Sequence, residues 1–388
     1  MRNEPQTPAV TPFRINVADE EIRDLQMRLD RTRWPEQETV SDWSQGVPLA
    51  EMRKLADHWR HNYDWRRCEA ALNSHPQFKT TLDGLEIHFV HIRSSNENAM
   101  PLILTHGWPG SIIEFSKVIG PLSEPQDFGG ATKDAFHLVI PALPGSGFSG
   151  KPTRTGWGLD KIAFNWDQLM KRLGYRDYVA QGGDWGSAVT HTLARQKPEG
   201  LKAIHTNLPV VMPPPPYDNL NPEEAAMLAA MGHYQRWEAG YSTQQMSRPQ
   251  TLGYALADSP VGQAAWIFEK FRAWTDCDGN PLSIFSYDEL LDNIMMYWLP
   301  NCGASSARLY WESFDGAFVV DQPVPLPCGY SVFPKELYKA PRSWAERCTP
   351  QLIHWNELDK GGHFAALEQP GLFVEELRTC FKAFLKQT

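Results

Sequence analysis

The 388-residue chain lacks any long hydrophobic run. No segment approaches the roughly 18 consecutive apolar residues that a membrane-spanning helix needs. Residues 1–11 are polar and contain proline, and they have no apolar segment of the signal-peptide type. From these absences we expect a soluble, cytoplasmic protein without stable membrane insertion.

Basic clusters and metal-binding cysteine patterns are also missing. The 37 Lys and Arg are outnumbered by 46 Asp and Glu, and a net charge of -9 without a basic patch argues against nucleic-acid binding. The six cysteines form no CxxC pair, and none lies near a histidine at metal-ligand spacing, so we expect no metal site. Scattered thiols of this kind are typical of reduced cysteines in a cytosolic protein.

The chain is instead rich in aromatic residues and, from residue 78 onwards, in short apolar strands. The 15 Trp, 18 Phe and 12 Tyr favour a large aromatic core or aromatic-lined cavities. Residues 78–82 and 85–91 alternate around Asp83-Gly84, which predicts a hairpin. Apolar runs then alternate with helical patterns, one of them at 112–122. This order predicts an α/β protein with a buried, mostly parallel sheet.

Two helical regions interrupt that alternation. The chain up to about residue 77 has helical periodicity, with helices predicted at 18–33 and 47–61. Prolines after Asn207, including four in a row from 213 to 216, end the strand pattern, and 221–314 is helical again. The predicted organisation is an N-terminal extension packed on core and cap (1–84), a core in two parts, and a helical cap between them. The core parts are 85–210 and 325–388, and the cap is 211–324.

The segment around Asp184 has the pattern of a nucleophile elbow, a sharp turn between a strand and a helix. Gly182 and Gly186 flank it at two residues on either side, where a Cβ atom would obstruct a tight turn. The central residue of such an elbow is usually Ser. Here it is Asp, which predicts a carboxylate nucleophile.

A histidine and a second acid should follow the nucleophile in chain order. His363 lies on a Gly-Gly-His loop after the last predicted strand and before the final helix. We expect the acid after the strand at 328–332, which favours Glu336, and its role would be to orient the imidazole. Glu346 and Asp359 compete, although a short exposed helix and a solvated loop are their ordinary settings.

The loop from His106 to Gly110 occupies the position that supplies half of an oxyanion hole in this arrangement. The backbone N–H groups of Trp108 and Trp185 should point to one place, where they would stabilise a developing oxyanion. A packed Gly-Pro turn would be compatible with that role.

A carboxylate nucleophile suits attack on an sp3 carbon, because the product is an alkyl ester that activated water can hydrolyse. Epoxides and alkyl halides both fit this chemistry. A halide leaves as a stable anion and needs only weak donors, such as the indole N–H of Trp108 or Trp185. An epoxide opens to an alkoxide and needs a proton donor, for which Tyr, with a pKa of about 10, is suited.

The sequence resembles the epoxide hydrolases of the α/β-hydrolase superfamily, in the microsomal-type branch that includes soluble fungal and bacterial members. The resemblance covers nearly the whole chain. It rests on Pro12-Phe13, Arg33-Trp34-Pro35, the 106–110 loop, the 182–186 elbow, the 257–262 stretch and the 361–364 loop. It implies a small hydrophobic epoxide as substrate and hydrolysis without cofactor or metal.

The resemblance also implies two cap tyrosines as ring-opening acids, matched here by Tyr241 and Tyr310. These would bind substrate together with Trp108 and Trp185. Spacing alone leaves other cap tyrosines as rivals, namely Tyr234, Tyr254 and Tyr297.

Two other functions remain open at this point. A haloalkane dehalogenase would use the same elbow aspartate, and a non-catalytic binder would use only the aromatic cavity. The tyrosine pair and the long N-terminal segment favour the epoxide hydrolase. Oligomeric state is open, with a homodimer as the working expectation.

Overall fold

The computed structural model describes residues 9–213, 215–320 and 322–385, so residues 1–8 and Pro214 of the proline run lie outside the described residues. Nine strands form one sheet. They are β1 Thr11–Phe13, β2 Gln77–Leu82, β3 Leu85–Ile92, β4 Met100–Thr105, β5 Phe136–Pro141, β6 Tyr178–Gly182, β7 Leu201–Thr206, β8 Cys328–Val332 and β9 Leu352–Glu357.

Fifteen α-helices surround this sheet in the described part of the chain. Those before β8 are α1 Asp19–Asp30, α2 Leu49–His61, α3 Trp65–Leu72, α4 Ile119–Ser123, α5 Leu159–Arg172, α6 Trp185–Gln196, α7 Pro222–Trp237, α8 Gly240–Ser247, α9 Pro249–Asp258, α10 Pro260–Trp274, α11 Tyr287–Trp298 and α12 Gly303–Ser313. After β8 come α13 Arg342–Cys348, α14 Ala365–Glu368 and α15 Pro370–Leu385. Four short 3-10 turns occupy Ile112–Phe115, Pro125–Phe128, Thr132–Asp134 and Pro281–Ser283.

The sheet has the order β1-β2-β3-β5-β4-β6-β7-β8-β9. The first three pairings are antiparallel, and every pairing from β5 to β9 is parallel. The predicted hairpin is confirmed: Asp83 and Gly84 both have positive φ, as its turn requires. The prediction of a mostly parallel sheet is also confirmed.

The predicted helix at 112–122 is wrong in its first half. The chain forms a 3-10 turn at Ile112–Phe115 and then a separate short helix, α4. Pro121 explains part of this break, because it has no N–H for the hydrogen bond that a continuous helix would need there, and it is tolerated in the first turn of α4.

The parallel arrangement gathers four loops at one edge of the sheet. The loops after β4, β6, β8 and β9 carry Trp108, Asp184, Glu336 and His363 respectively. Parallel neighbours end at the same edge, which is where open α/β sheets form their ligand sites. The fold therefore places these four residues close together.

Six helices, α7 to α12, lie between β7 and β8, and the N-terminal helices pack against them. Both α1 and α2 contact α10, and α2 also contacts α11. The contact is partly polar: His58 Nε2 lies 2.7 Å from Asp288 Oδ1, and Arg67 donates to Asp292 at 2.6 Å. Among the helices that the structure describes, none combines the length and apolar character needed to cross a bilayer.

Candidate active site

Asp184 lies at the sharp turn between β6 and α6. Its backbone has φ 51° and ψ -126°, a conformation that a non-glycine residue rarely adopts. A Cβ on Gly182 would lie 2.0 Å from the carbonyl oxygen of Gly186, and one on Gly186 would lie 1.9 Å from that of Thr105. The turn therefore needs both glycines. Asp184 is buried, at 7% exposure, at the N-terminus of α6, where the helix dipole favours a negative charge.

His363 lies between two carboxylates. Its Nε2 is 3.4 Å from Asp184 Oδ2, and its Nδ1 is 2.6 Å from Glu336 Oε1. The rival acids lie elsewhere: Glu346 is exposed and pairs with Arg342, and Asp359 is exposed. Of the three candidates, Glu336 is the one that the structure brings to the histidine.

Backbone hydrogen bonds fix the loop that carries His363. The N–H of His363 donates to the carbonyl of Trp274 at 2.9 Å, and the N–H of Gly361 donates to Asp276 Oδ2 at 2.9 Å. Glu368 in turn accepts from the N–H of Asp276 at 2.9 Å. Trp274 and Asp276 belong to the end of α10 and the residues after it, so this cap helix helps to hold the histidine in place.

The charge state of His363 is set by its two neighbours. Burial is the largest single influence and lowers the pKa of His363, but Glu336 and Asp184 together outweigh it and raise that pKa well above its ordinary value. The imidazolium is thus favoured while both carboxylates are charged. Esterification of Asp184 would remove one of those charges and lower the pKa of His363, so that more of the imidazole is neutral and able to accept a proton.

The loop after β4 contacts the carboxylate of Asp184 directly. The N–H of Trp108 donates to Asp184 Oδ1 at 2.7 Å, and a Cβ on Gly107 would lie 2.2 Å from that oxygen. Among the described residues, the N–H of Trp185 makes no hydrogen bond to this carboxylate. One of the two predicted oxyanion donors, Trp108, is therefore hydrogen-bonded to the Asp184 carboxylate, and the role of both donors remains a prediction.

His106 supports this loop from within. The N–H of Leu143 donates to its Nε2 at 3.1 Å, so the ring proton is on Nδ1, which donates to the carbonyl of Gly107 at 2.9 Å. Burial lowers the pKa of His106 to about 4. A neutral imidazole in this tautomer braces the loop beside Trp108.

Tyr241 and Tyr310 face Asp184 from the helical segment. Their ring centroids are 5.9 Å apart at an angle of 80°. The ring of Tyr241 stacks on that of Trp108 at 5.0 Å, and the ring of Tyr310 meets Trp185 edge-on at 4.7 Å. Burial raises the pKa of both phenols well above 10, so both remain protonated and able to donate.

The rival tyrosines separate clearly in space. Tyr254 is 71% exposed, and the hydroxyl of Tyr297 donates to the carbonyl of Gly110 at 2.6 Å. Tyr234 lies in the site, where its hydroxyl is 3.0 Å from that of Tyr241. The hydroxyl of Tyr310 has no hydrogen-bond partner among the described residues. The site thus contains a third phenol, Tyr234, which can pass a proton to Tyr241.

The space between these groups is a small cavity of about 110 Å³. Asp184 and Trp185 lie at its base, and three tyrosines line it from the cap side. The rest of the wall is mostly apolar and includes Leu208, Met212, Met231, Phe314, Phe318 and Leu337. Such a cavity suits a small hydrophobic ligand with one polar atom. Within the described ranges, no cluster of His, Cys, Asp or Glu is arranged to hold a metal ion.

Two charged residues near the site escaped the sequence analysis. A Cβ on Gly110 would lie 1.4 Å from Glu114 Oε1, which places this carboxyl against the loop of Trp108. Burial raises the pKa of Glu114 to about 8, with His363 lowering it and Asp184 raising it. Lys270 is buried at 4% exposure beside Tyr241. No local pattern marks either residue, because each approaches the site through tertiary packing.

Comparison with known proteins agrees with this geometry. The family model described as "Epoxide hydrolase N terminus" matches residues 10–115, and the one described as "alpha/beta hydrolase fold" matches residues 100–236. A putative epoxide hydrolase of Stigmatella aurantiaca is 56% identical over 374 residues, covering 96% of this chain and 85% of the relative. Epoxide hydrolase 1 of Oryctolagus cuniculus is 34% identical, covering 95% of this chain and 88% of the relative.

Solved structures give the same result. The epoxide hydrolase of Aspergillus niger superposes with a TM-score of 0.85 at 33% identity, covering 99% of this chain and 98% of the other. The juvenile hormone epoxide hydrolase of Bombyx mori superposes with a TM-score of 0.90 at 29% identity, covering 98% and 96%. The predicted α/β-hydrolase fold and the resemblance seen in the sequence are both confirmed.

Proposed function

Because the chain belongs to the epoxide hydrolase family of α/β-hydrolases, we propose that it converts small hydrophobic epoxides to vicinal diols through a covalent ester on Asp184. The observation that carries this proposal is the pair of protonated phenols, Tyr241 and Tyr310, that face the carboxylate across one apolar cavity. The carboxylate on one side of the cavity can attack a ring carbon of an epoxide, while the two phenols on the other side can protonate the ring oxygen.

In the first step Asp184 Oδ2 attacks a ring carbon and forms the ester bond. The ring C–O bond breaks, its electron pair moves to the oxygen, and that oxygen takes a proton from Tyr241 or Tyr310. The hydroxyl of Tyr234, 3.0 Å from that of Tyr241, is placed to return a proton to it. General acids of this kind typically contribute 10²–10⁴-fold to a rate.

In the second step a water molecule attacks the carbonyl carbon of the ester while His363 takes one of its protons. Negative charge then develops on Oδ1, which already accepts the N–H of Trp108 at 2.7 Å. The tetrahedral intermediate collapses by breaking the acyl C–O bond, and the imidazolium returns the proton to the leaving diol oxygen. The oxygen of the attacking water stays on Asp184. Its second proton leaves the regenerated carboxyl and restores the phenol that was deprotonated in the first step. Glu336 orients the imidazole throughout.

Substrate profiling tests this function against the dehalogenase alternative. The purified protein should form phenylethanediol from styrene oxide and release no bromide from bromoalkanes of similar size. Bromide release without diol formation would favour the dehalogenase. Binding of the same compounds without any turnover would favour the non-catalytic binder.

We also propose a cytoplasmic location, which the six cysteines support because all are free and buried. Fractionation of expressing cells tests it, with activity expected in the cytosol. The homodimer stays a prediction from the sequence and can be tested by light scattering.

A further inference from the structure

Lys270 is a buried cation next to a proposed acid. Its ammonium nitrogen lies 4.6 Å from the ring centroid of Tyr241 and 5.7 Å from that of Trp274. The residue is only 4% exposed, which is unusual for lysine. Its charge is paired with Glu269, whose Oε2 is 2.5 Å away. Neither step of the mechanism above uses this lysine.

We propose that Lys270 is a positioning residue for ring opening, which favours proton donation by Tyr241 over proton donation by Tyr310. The idea rests on the proposed function, because it concerns how the phenol loses its proton to the epoxide oxygen. When Tyr241 donates, its ring becomes a phenolate. A cation over the ring face attracts the ring more strongly in that state than in the neutral phenol, so it stabilises the transition state.

The packing around Tyr241 holds ring and cation together. Trp108 stacks on the ring at 5.0 Å with an interplanar angle of 9°, which leaves the opposite face to the ammonium. Trp274 meets the ring at 5.2 Å and lies one helical turn after Lys270 on α10. The nitrogen of Lys270 is thus placed over the ring of Tyr241, beside Trp274.

The charges that face Tyr241 have opposite effects. The carboxylate of Asp184 disfavours a phenolate, and the other close titratable groups, Tyr234 and Tyr310, are neutral phenols. The ammonium of Lys270 offsets the carboxylate, and its partner Glu269 weakens that effect. The ring of Tyr310, by contrast, packs edge-on against Trp185 and stacks on Phe314 at 5.9 Å, and the cation–π contacts of the described residues include none to it.

The first test measures ring opening and ester hydrolysis separately in single turnovers with styrene oxide, followed by tryptophan fluorescence. Lys270→Met should slow ring opening by roughly tenfold and leave ester hydrolysis unchanged. Lys270→Arg should recover most of the rate, because it keeps the cation. Lys161→Met is the matched control: its nitrogen lies 4.8 Å from the ring of Trp157, away from the site, and its loss should change neither step.

The second test asks whether Lys270 acts through Tyr241. In a Tyr241→Phe background, Lys270→Met should have no further effect on ring opening, whereas in a Tyr310→Phe background the roughly tenfold loss should persist. An equal loss in both backgrounds, or equal slowing of both steps, would overturn the proposal.

Should Lys270→Met not fold, Glu269→Gln replaces it. Removal of the counter-charge of Lys270 should speed ring opening, and slower ring opening would contradict the proposal. If the wild-type protein forms no diol, it is the proposed function that fails.

Discussion

The two sides of the active site are built differently. On the sheet side, Asp184 and His363 are fixed by backbone geometry: a turn that two glycines permit, and a loop whose N–H groups are hydrogen-bonded. On the cap side, Tyr241 and Tyr310 are fixed by aromatic packing between helices that are distant in sequence. In the proposed mechanism the sheet side would form and hydrolyse the ester, and the cap side would determine which leaving group can be protonated.

This difference predicts that substitutions on the two sides affect different steps. Changes on the sheet side should impair ester hydrolysis or, at Asp184 itself, abolish the reaction. Changes in the cap should impair ring opening alone.

The largest effect is expected for Asp184→Ala. Without the carboxylate no ester can form, and diol formation should fall by roughly 10⁴-fold or more. The assay is diol production from styrene oxide, with circular dichroism to show that the fold is retained. Residual activity near the wild-type rate would mean that another group supplies the nucleophile.

Glu336→Gln should have the next largest effect and should isolate the second step. The imidazole would lose the negative charge of the acceptor that is 2.6 Å from Nδ1, so ester hydrolysis should slow by about 10²–10⁴-fold while ring opening changes little. Single-turnover fluorescence resolves the two rates. Glu346→Gln, at the exposed rival acid, is the control and should behave as wild type. The same loss in both variants would remove Glu336 from its proposed role.

The cap tyrosines should show the opposite pattern. Tyr241→Phe should slow ring opening by roughly 10- to 100-fold and Tyr310→Phe by less. The double variant should lose more than either, because each phenol can still act when the other is missing. Ester hydrolysis should keep its rate. Tyr254→Phe, at 71% exposure, is the control. Slower hydrolysis with normal ring opening would contradict the division between the two sides.

The smallest effect is expected for Glu114→Gln, as a difference in stability. Burial raises the pKa of Glu114 from 4.5 to about 8, so the folded state favours the protonated form. As the pH rises from 4.5 through 8, the unfolded chain ionises first and the wild type loses stability. A neutral glutamine avoids this loss. The melting temperature of Glu114→Gln should therefore match that of the wild type near pH 5 and exceed it by a few degrees at pH 9, and a constant difference would contradict the assignment.

The two sides also differ in how well the sequence predicts them. The elbow around Asp184 and the loop of His363 depend on residues within a few positions of each other, so glycine spacing and chain order locate them. Chain order likewise favours Glu336 over Glu346 and Asp359, and Glu336 is the one beside the histidine.

The functional tyrosines of the cap could not be identified from the residues in the same way. Tyr241 and Tyr254 have similar sequence surroundings, yet one is buried and the other exposed, because helix rotation within the cap decides which face is covered. The bond between Tyr234 and Tyr241 and the position of Lys270 depend on contacts between separate helices. From the sequence, only the family resemblance selects Tyr241 and Tyr310 among the cap tyrosines.

The covalent ester on Asp184 is the central claim, and intact-mass measurement of His363→Gln tests it most directly. This variant keeps the nucleophile and the cap acids but lacks the base that activates water. After incubation with styrene oxide, the protein should gain the mass of one substrate molecule, located by peptide mapping at Asp184. An unmodified protein that still produces diol would contradict the account, because hydrolysis would then proceed without the ester.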